Sequence, residues 1–204
     1  MHDLLVGATG ERMALPRYLA DFDREFWAIE QGDFWKLERQ QTFREPENAS
    51  WQAFARGRWN EAMRLQQANR PDFESYYRRI KEAGFVTRRV RVIEKPITPY
   101  LQWELHILRL RHEYGGHCRV IGPKQVRDLE RGESLPEIYT LGRNVMYQAV
   151  YDDDGVLVAG IRFDDRALVR RCRDVIRGLY EIGEDLPEFF DREVAVLGPP
   201  ATVG

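Results

Sequence analysis

Seven cations fall within 18 residues, at Arg78, Arg79, Lys81, Arg88, Arg89, Arg91 and Lys95, against only Glu82 and Glu94. Arg89 and Arg91 alternate with Val90 and Val92, so in a strand the two guanidinium groups share one face. If helices cover that face, each guanidinium needs a carboxylate, a phosphate or a ligand as partner. Glu104, one helical turn beyond Tyr100, and Glu38, from an earlier strand, are the internal candidates. An Arg has more donors than one carboxylate has acceptor oxygens, so Glu104 alone cannot satisfy both. At least one of Arg89 and Arg91 is therefore expected to meet Glu104 or Glu38. The other is expected to face a polar cleft edged by Tyr100 and Trp103. Two readings stay open: a buried Arg-Glu network tying helix to sheet, or a pocket for a small anionic ligand.

Arg166, Arg170, Arg173 and Arg177 recur at i, i+4, i+7 and i+11, with Arg171 nearby. Such a stripe could follow a phosphate backbone. Asp164, Asp165, Asp174 and Glu181 offset part of it, and a solvated outer face competes as an explanation. No helix-turn-helix, zinc-finger or RNA-binding aromatic motif accompanies the stripe.

Metal chemistry is not expected. His106 and His112 are six positions apart on a predicted helix, roughly 240° out of phase, and His117 and Cys118 diverge on adjacent strand positions. Gly7-Ala8-Thr9-Gly10 lacks the third glycine of a dinucleotide loop, with Met13 where close helix packing is needed, so no cofactor is expected either. Ser50, Ser75 and Ser134 sit in no Gly-x-Ser-x-Gly elbow. With no catalytic motif, no catalytic residue is assigned, and a binding role is expected over an enzymatic one.

These residues must be held by elements that the apolar periodicity outlines. Pro16 lies just inside a helix carrying Leu19, Phe22, Phe26 and Ile29, and Phe34 to Phe43 alternates as a strand. Ser50 is expected to cap a helix running to about Gln67, and Asp72 another that ends at Gly84. Phe85 to Ile93 has the clearest strand pattern. Pro96 closes it, and Thr98-Pro99 opens a helix up to Gly115-Gly116, apolar on two sides and so packed on two sides. Cys118 to Ile121 then completes a strand-helix-strand unit with parallel strands. Pro123 to Arg131 predicts a short helix and Ile138 to Leu141 a strand. Val145–Val150 and Val156–Phe163 flank the hairpin turn Asp152-Asp153-Asp154-Gly155. Asp164 or Asp165 caps a helix with Leu168, Cys172, Val175 and Leu179 inward, and Glu184 to Phe190 adds a short closing segment. The expected fold is a single α/β domain with a mixed β-sheet, a hairpin in the C-terminal half and helices packed on the sheet.

Of the 204 residues, 43% are apolar and 12% aromatic, which supports one folded domain and excludes a disordered or fibrous chain. That domain is expected over 16–197, between a flexible N-terminal arm, 1–15, and a loose tail, 198–204. A net charge of -2 removes the simplest electrostatic case for a general nucleic-acid binder and leaves a local basic patch open. Arg supplies 27 of the 31 basic residues, a bias that weakens Arg abundance as a sign of phosphate recognition. Cys118 and Cys172 make no disulfide framework, Leu4-Leu5-Val6 is too short for an export core, and no apolar run could cross a bilayer. A cytoplasmic protein with no membrane contact is expected.

The run Arg88-Arg89-Val90-Arg91-Val92-Ile93-Glu94-Lys95-Pro96, with Thr98, Tyr100 and Trp103-Glu104, resembles an uncharacterised actinobacterial domain family of unknown function. So do Phe34-Trp35-Lys36-Leu37-Glu38 and the hairpin Tyr151-Asp152-Asp153-Asp154-Gly155. The likeness spans about Phe34 to Phe190 and departs from the family between Tyr114 and Leu141. Members are often encoded beside WhiJ-type helix-turn-helix regulators, so the resemblance implies a regulatory accessory protein. The expected role is ligand sensing in transcriptional control through a protein partner, with such a regulator as that partner. An enzyme acting on a small anionic or nucleotide-like substrate is the alternative, and direct DNA binding by the Arg166–Arg177 stripe a further one.

Overall fold

The computed structural model describes residues 5–130 and 132–200. In chain order the elements are β1 (Glu11–Ala14), α1 (Leu15–Trp27), β2 (Phe34–Glu38), α2 (Ala49–Ala55), α3 (Trp59–Ala68), α4 (Arg70–Glu82), β3 (Thr87–Val92) and α5 (Pro99–Glu113). They continue with β4 (Gly116–Ile121), the single-turn α6 (Pro123–Val126), β5 (Ile138–Leu141), β6 (Val145–Tyr151), β7 (Leu157–Phe163), α7 (Arg166–Glu181), β8 (Glu184–Asp185) and α8 (Leu186–Glu193). The strands form one mixed sheet in the order β1-β7-β6-β5-β2-β3-β4-β8. β2, β3 and β4 run parallel and the other pairs are antiparallel.

The two sheet faces carry different chemistry because strand residues alternate. Trp35, Leu37, Val90, Val92, Ile138 and Met146 point to one face, where α7 covers them with Leu168, Val169, Cys172 and Ile176. The opposite face is covered by several helices. Aromatic residues of α1 and α4 pack there around Phe34 and Tyr147, while α5 meets α2 and α3 through Trp103, Phe54 and Ala62. The other side of α5 packs Leu101 and Leu105 against β4 and α8, so its two apolar stripes serve two clusters.

α5 follows the predicted limits, with Thr98 Oγ1 accepting from Leu101 N at 3.1 Å. The hairpin of β6 and β7 and the Asp165 cap of α7 also stand where the alternation and cap chemistry put them.

Several local expectations are corrected. Asn48, not Ser50, caps α2, its Oδ1 accepting from Ser50 N at 3.0 Å and Trp51 N at 3.2 Å. Ser50 Oγ instead donates to Ala62 O at 2.9 Å and ties α2 to α3. The single helix expected up to Gln67 is broken at Gly57, whose φ of 73° is open to glycine and costly for other residues. Asp72 lies inside the first turn of α4 and caps nothing. The strand expected from Phe34 to Phe43 ends at Glu38, and the helix expected from Pro123 gives way at Arg127–Leu129 to a 3-10 turn. The N-terminal arm is not free along its length, because Glu11–Ala14 pairs with Ala159–Arg162 as an edge strand. Gly198 O accepts from Gln102 Nε2 at 2.8 Å, which ties the start of the expected tail to α5. Residues 1–4 of the arm and 201–204 of the tail lie outside the described residues.

Candidate functional site

The parallel register of β2 and β3 sets Lys36 beside Arg89 and Glu38 beside Arg91, and β5 sets Tyr139 beside Lys36. All five side chains stand on the face that α5 covers. The central carboxylate is Glu38, which pairs with Lys36 along its own strand and accepts from Arg89 Nη1 across the sheet. Arg91, with 0% side-chain exposure, donates through Nε to Glu104 Oε2 at 2.8 Å. Its Nη1 reaches only the carbonyls of Glu38 and Val92 at 3.4 Å, and its Nη2 is buried with no hydrogen-bond partner among the described residues.

The electrostatics follow from this packing. Burial alone pushes the Glu38 carboxyl up, but Arg89, Lys36 and Arg91 together hold it well below the usual carboxylate range. Burial, reinforced by the charge of Arg89, holds the Lys36 ammonium below the ordinary lysine range. Burial lifts the Glu104 carboxyl even against the pull of Arg91. Behind β2, Glu137 Oε1 accepts from the backbone N of Arg39 and of Gln40 at 2.7 Å each. Its Oε2 is buried without a partner among the described residues, and burial beside Glu38 pushes the Glu137 carboxyl up to about 7.

Above the charged floor, two adjoining cavities share Lys36, Arg89, Leu108 and Arg111. The first, of 230 Å3, is walled by rings from α1, α4 and β5, including Phe22, Phe26, Tyr76 and Tyr139, and its ionisable lining includes no carboxylate. The second, of 280 Å3, brings together Glu38, Arg89, Tyr100, Trp103 and Glu104. Tyr100 and Trp103 are held in place by other partners: Tyr100 OH donates to Glu45 Oε1 at 2.7 Å and Trp103 Nε1 to Ser50 Oγ at 3.0 Å. Of the six residues singled out from the sequence, five line this cavity; Arg91 does not, being sealed behind it by Glu104.

Sequence reasoning missed Lys36 and Arg111. Lys36 was within reach, since it lies two positions from Glu38 and so on the same strand face. Arg111 had no local signal. It sits in the last turn of α5, lines both cavities, and makes no ion pair among the described residues. Its guanidinium carbon stands 5.3 Å from the centroid of the Phe73 ring.

The remaining sequence candidates lie elsewhere. Arg166, Arg170, Arg173 and Arg177 run along the outer side of α7, on the far side of the sheet. His106 packs edge-on between Trp59 and Phe190, and the rings of His112 and His117 are 6.0 Å apart. No group of three or more His, Cys, Asp or Glu side chains among the described residues converges to hold a metal ion. Cys118 lines the first cavity, but burial pushes its thiol up to about 12, which removes the thiolate a nucleophile needs at neutral pH. No described helix is long and apolar enough to cross a membrane.

A search of curated proteins gives no match. Among solved structures the chain is similar to Nuc, a phospholipase D family member from Salmonella typhimurium, at a TM-score of 0.46 and 10% identity, over 87% of this chain and 97% of that one. It is also similar to TrmBL2, an archaeal chromatin protein, at a TM-score of 0.41 and 10% identity, over 90% of this chain and 58% of that one. Likeness at this level bears on neither activity nor partners. At the level of sequence the match is of another order: residues 20–191 fit one family throughout, the stretch that holds Lys36, Glu38, Arg89, Arg91, Glu104 and Arg111, and the chain belongs to that family, a domain of unknown function (DUF6879).

Proposed function

We propose that the cleft between α5 and the sheet binds a small anionic ligand with a flat apolar portion, nucleotide-like in its chemistry. On this reading the protein is a ligand-sensing accessory in cytoplasmic transcriptional control, acting through a protein partner. The observation that carries the ligand half is Arg111, a guanidinium without an ion pair among the described residues at the junction of two cavities, with Lys36 and Arg89 below it and aromatic rings beside it. At this floor Lys36 and Arg89 share the one carboxylate of Glu38, Glu104 is taken up by Arg91 and Glu45 by Tyr100, which leaves the Arg111 guanidinium to meet an anion. The regulatory half rests on the resemblance of Arg88 to Glu104 to domains encoded beside WhiJ-type regulators, and the expected partner is such a helix-turn-helix protein.

A thermal-shift panel of 5′-nucleoside monophosphates, aromatic carboxylates and inorganic phosphate tests the ligand half. The best compound is then titrated into wild type and Arg111→Ala. A charge-assisted hydrogen bond contributes about 1.5–3 kcal/mol, so Arg111→Ala should weaken binding roughly 10- to 150-fold. No stabilisation by any compound, or equal affinity in the two proteins, overturns the reading. Lys36 favours a second reading, turnover of the same ligand, because a desolvated amine beside another cation is the form in which lysine acts as a nucleophile or base. Product formation lost in Lys36→Met would establish it.

A further inference from the structure

The arginines on the outer side of α7 are not an isolated stripe. Arg166, Arg170 and Arg173 form one wall of a 610 Å3 groove whose other wall is the β5–β6 turn, with Arg143 and Asn144. Arg143 and Arg173 also line the adjoining 450 Å3 hollow, where Arg88 and Arg177 extend the charge. The acids nearby do not neutralise it. Arg88 is held by Asp33, and Arg173 and Arg177 make long ion pairs of 3.5 and 3.7 Å with Asp174 and Glu181. Arg143, Arg166 and Arg170 have no ion-pair partner among the described residues, and Glu30 is the one carboxylate lining the first part of the groove. A chain of net charge -2 thus concentrates unpaired cations on one surface.

We infer that this groove binds the phosphate backbone of duplex nucleic acid without reading its bases. The spread of the charge favours a polymer over a small anion. Eleven residues of helix separate Arg166 from Arg177, about 16 Å at a rise of about 1.5 Å per residue, whereas each duplex strand presents a phosphate every ~3.4 Å along the axis. Single strands are bound by stacking bases on open aromatic faces. The rings here are occupied: Trp35 is buried, Tyr180 stands edge-on to it at 5.5 Å, and the guanidinium of Arg88 lies 5.0 Å over it. The groove therefore offers phosphate contacts and no stacking platform. It is separated from the anion cleft by the sheet itself.

Fluorescence anisotropy with a labelled 20-base-pair duplex of random sequence tests this directly. Three unpaired arginines predict a slope of about -2.7 for log affinity against log salt, which is a fall of roughly 40-fold between 50 and 200 mM salt. Arg143→Ala/Arg170→Ala, both exposed, should weaken binding at least about 10-fold at 50 mM and reduce the slope by about 1.8. Arg64→Ala, an exposed side chain on α3, should match wild type. Absence of binding at 50 mM salt, an unchanged double variant, or tighter binding of labelled polyglutamate than of duplex overturns the inference, the last marking the groove as a protein-docking surface. Ligand binding in the cleft should be the same in the double variant and wild type, so failure of one assignment leaves the other intact.

Discussion

Replacing Glu104 by Gln removes one charge and little volume, and it isolates what the Arg91–Glu104 pair does for the fold. Arg91 is fully buried, and Glu104 is the one carboxylate to which it hydrogen-bonds. After the change, its charge is left with the neighbouring Glu38 carboxylate and two carbonyls at 3.4 Å. Breaking a buried pair from one side typically costs about 3–5 kcal/mol. For a domain of this size each kcal/mol lowers Tm by about 2–4 °C, so Glu104→Gln should melt roughly 6–20 °C below wild type. Replacing both partners should behave differently. The Nη2 of Arg91 lacks a partner among the described residues, so the pair is incompletely satisfied, and Arg91→Met/Glu104→Leu should recover most of the loss. Urea denaturation with both slopes compared gives the energies. Glu104→Gln within about 1 kcal/mol of wild type would refute the buried network and mark the pair as wet.

Three other perturbations follow from the same packing. The Glu137 carboxyl titrates at about 7 in place of 4.5, so between those values the folded protein holds a proton that the unfolded chain has lost. Its contribution to stability is full below that window and is lost as pH rises through about 7, on the order of 3 kcal/mol. Glu137→Gln keeps an acceptor for the Arg39 and Gln40 amides and should flatten the decline between pH 5.5 and 8; a variant with the wild-type slope contradicts this. Gly160→Ala would place a methyl inside the Tyr18 ring of α1 and should cost about 1–3 kcal/mol, read by thermal melting, with no loss meaning that α1 does not press on β7. Asn48→Ala removes the α2 cap and should cost about 0.5–2 kcal/mol, with faster amide exchange at Ser50 and Trp51; unchanged exchange there would mean the cap is idle.

Much of the positioning framework is legible in local chemistry. Val90 and Val92 alternating with Arg89 and Arg91 assign both faces of β3, and Thr98-Pro99 sets the start of the helix that brings Tyr100, Trp103 and Glu104 over it. What escapes is what depends on pairing between distant segments. Glu11–Ala14 carries no strong strand pattern because an edge strand is specified by the partner it finds, here β7. Asn48 and Ser50 are both good caps by type, and only the turn of the chain before α2 decides between them. Lys36 joins the floor through the register of β2 with β3. Arg111 and Arg143 reach their cavities from a helix end and a turn, positions with no periodicity to read.

An anion seated among Lys36, Arg89 and Arg111 can be seen directly by anomalous scattering from crystals soaked in tungstate, a tetrahedral oxyanion of phosphate-like charge. The expected result is a peak whose oxygens lie about 2.7–2.9 Å from the Arg111 guanidinium, facing Lys36 and Arg89, and which disappears in Arg111→Ala. A map in which the cleft stays empty at saturating tungstate would contradict the assignment of this cleft as an anion site.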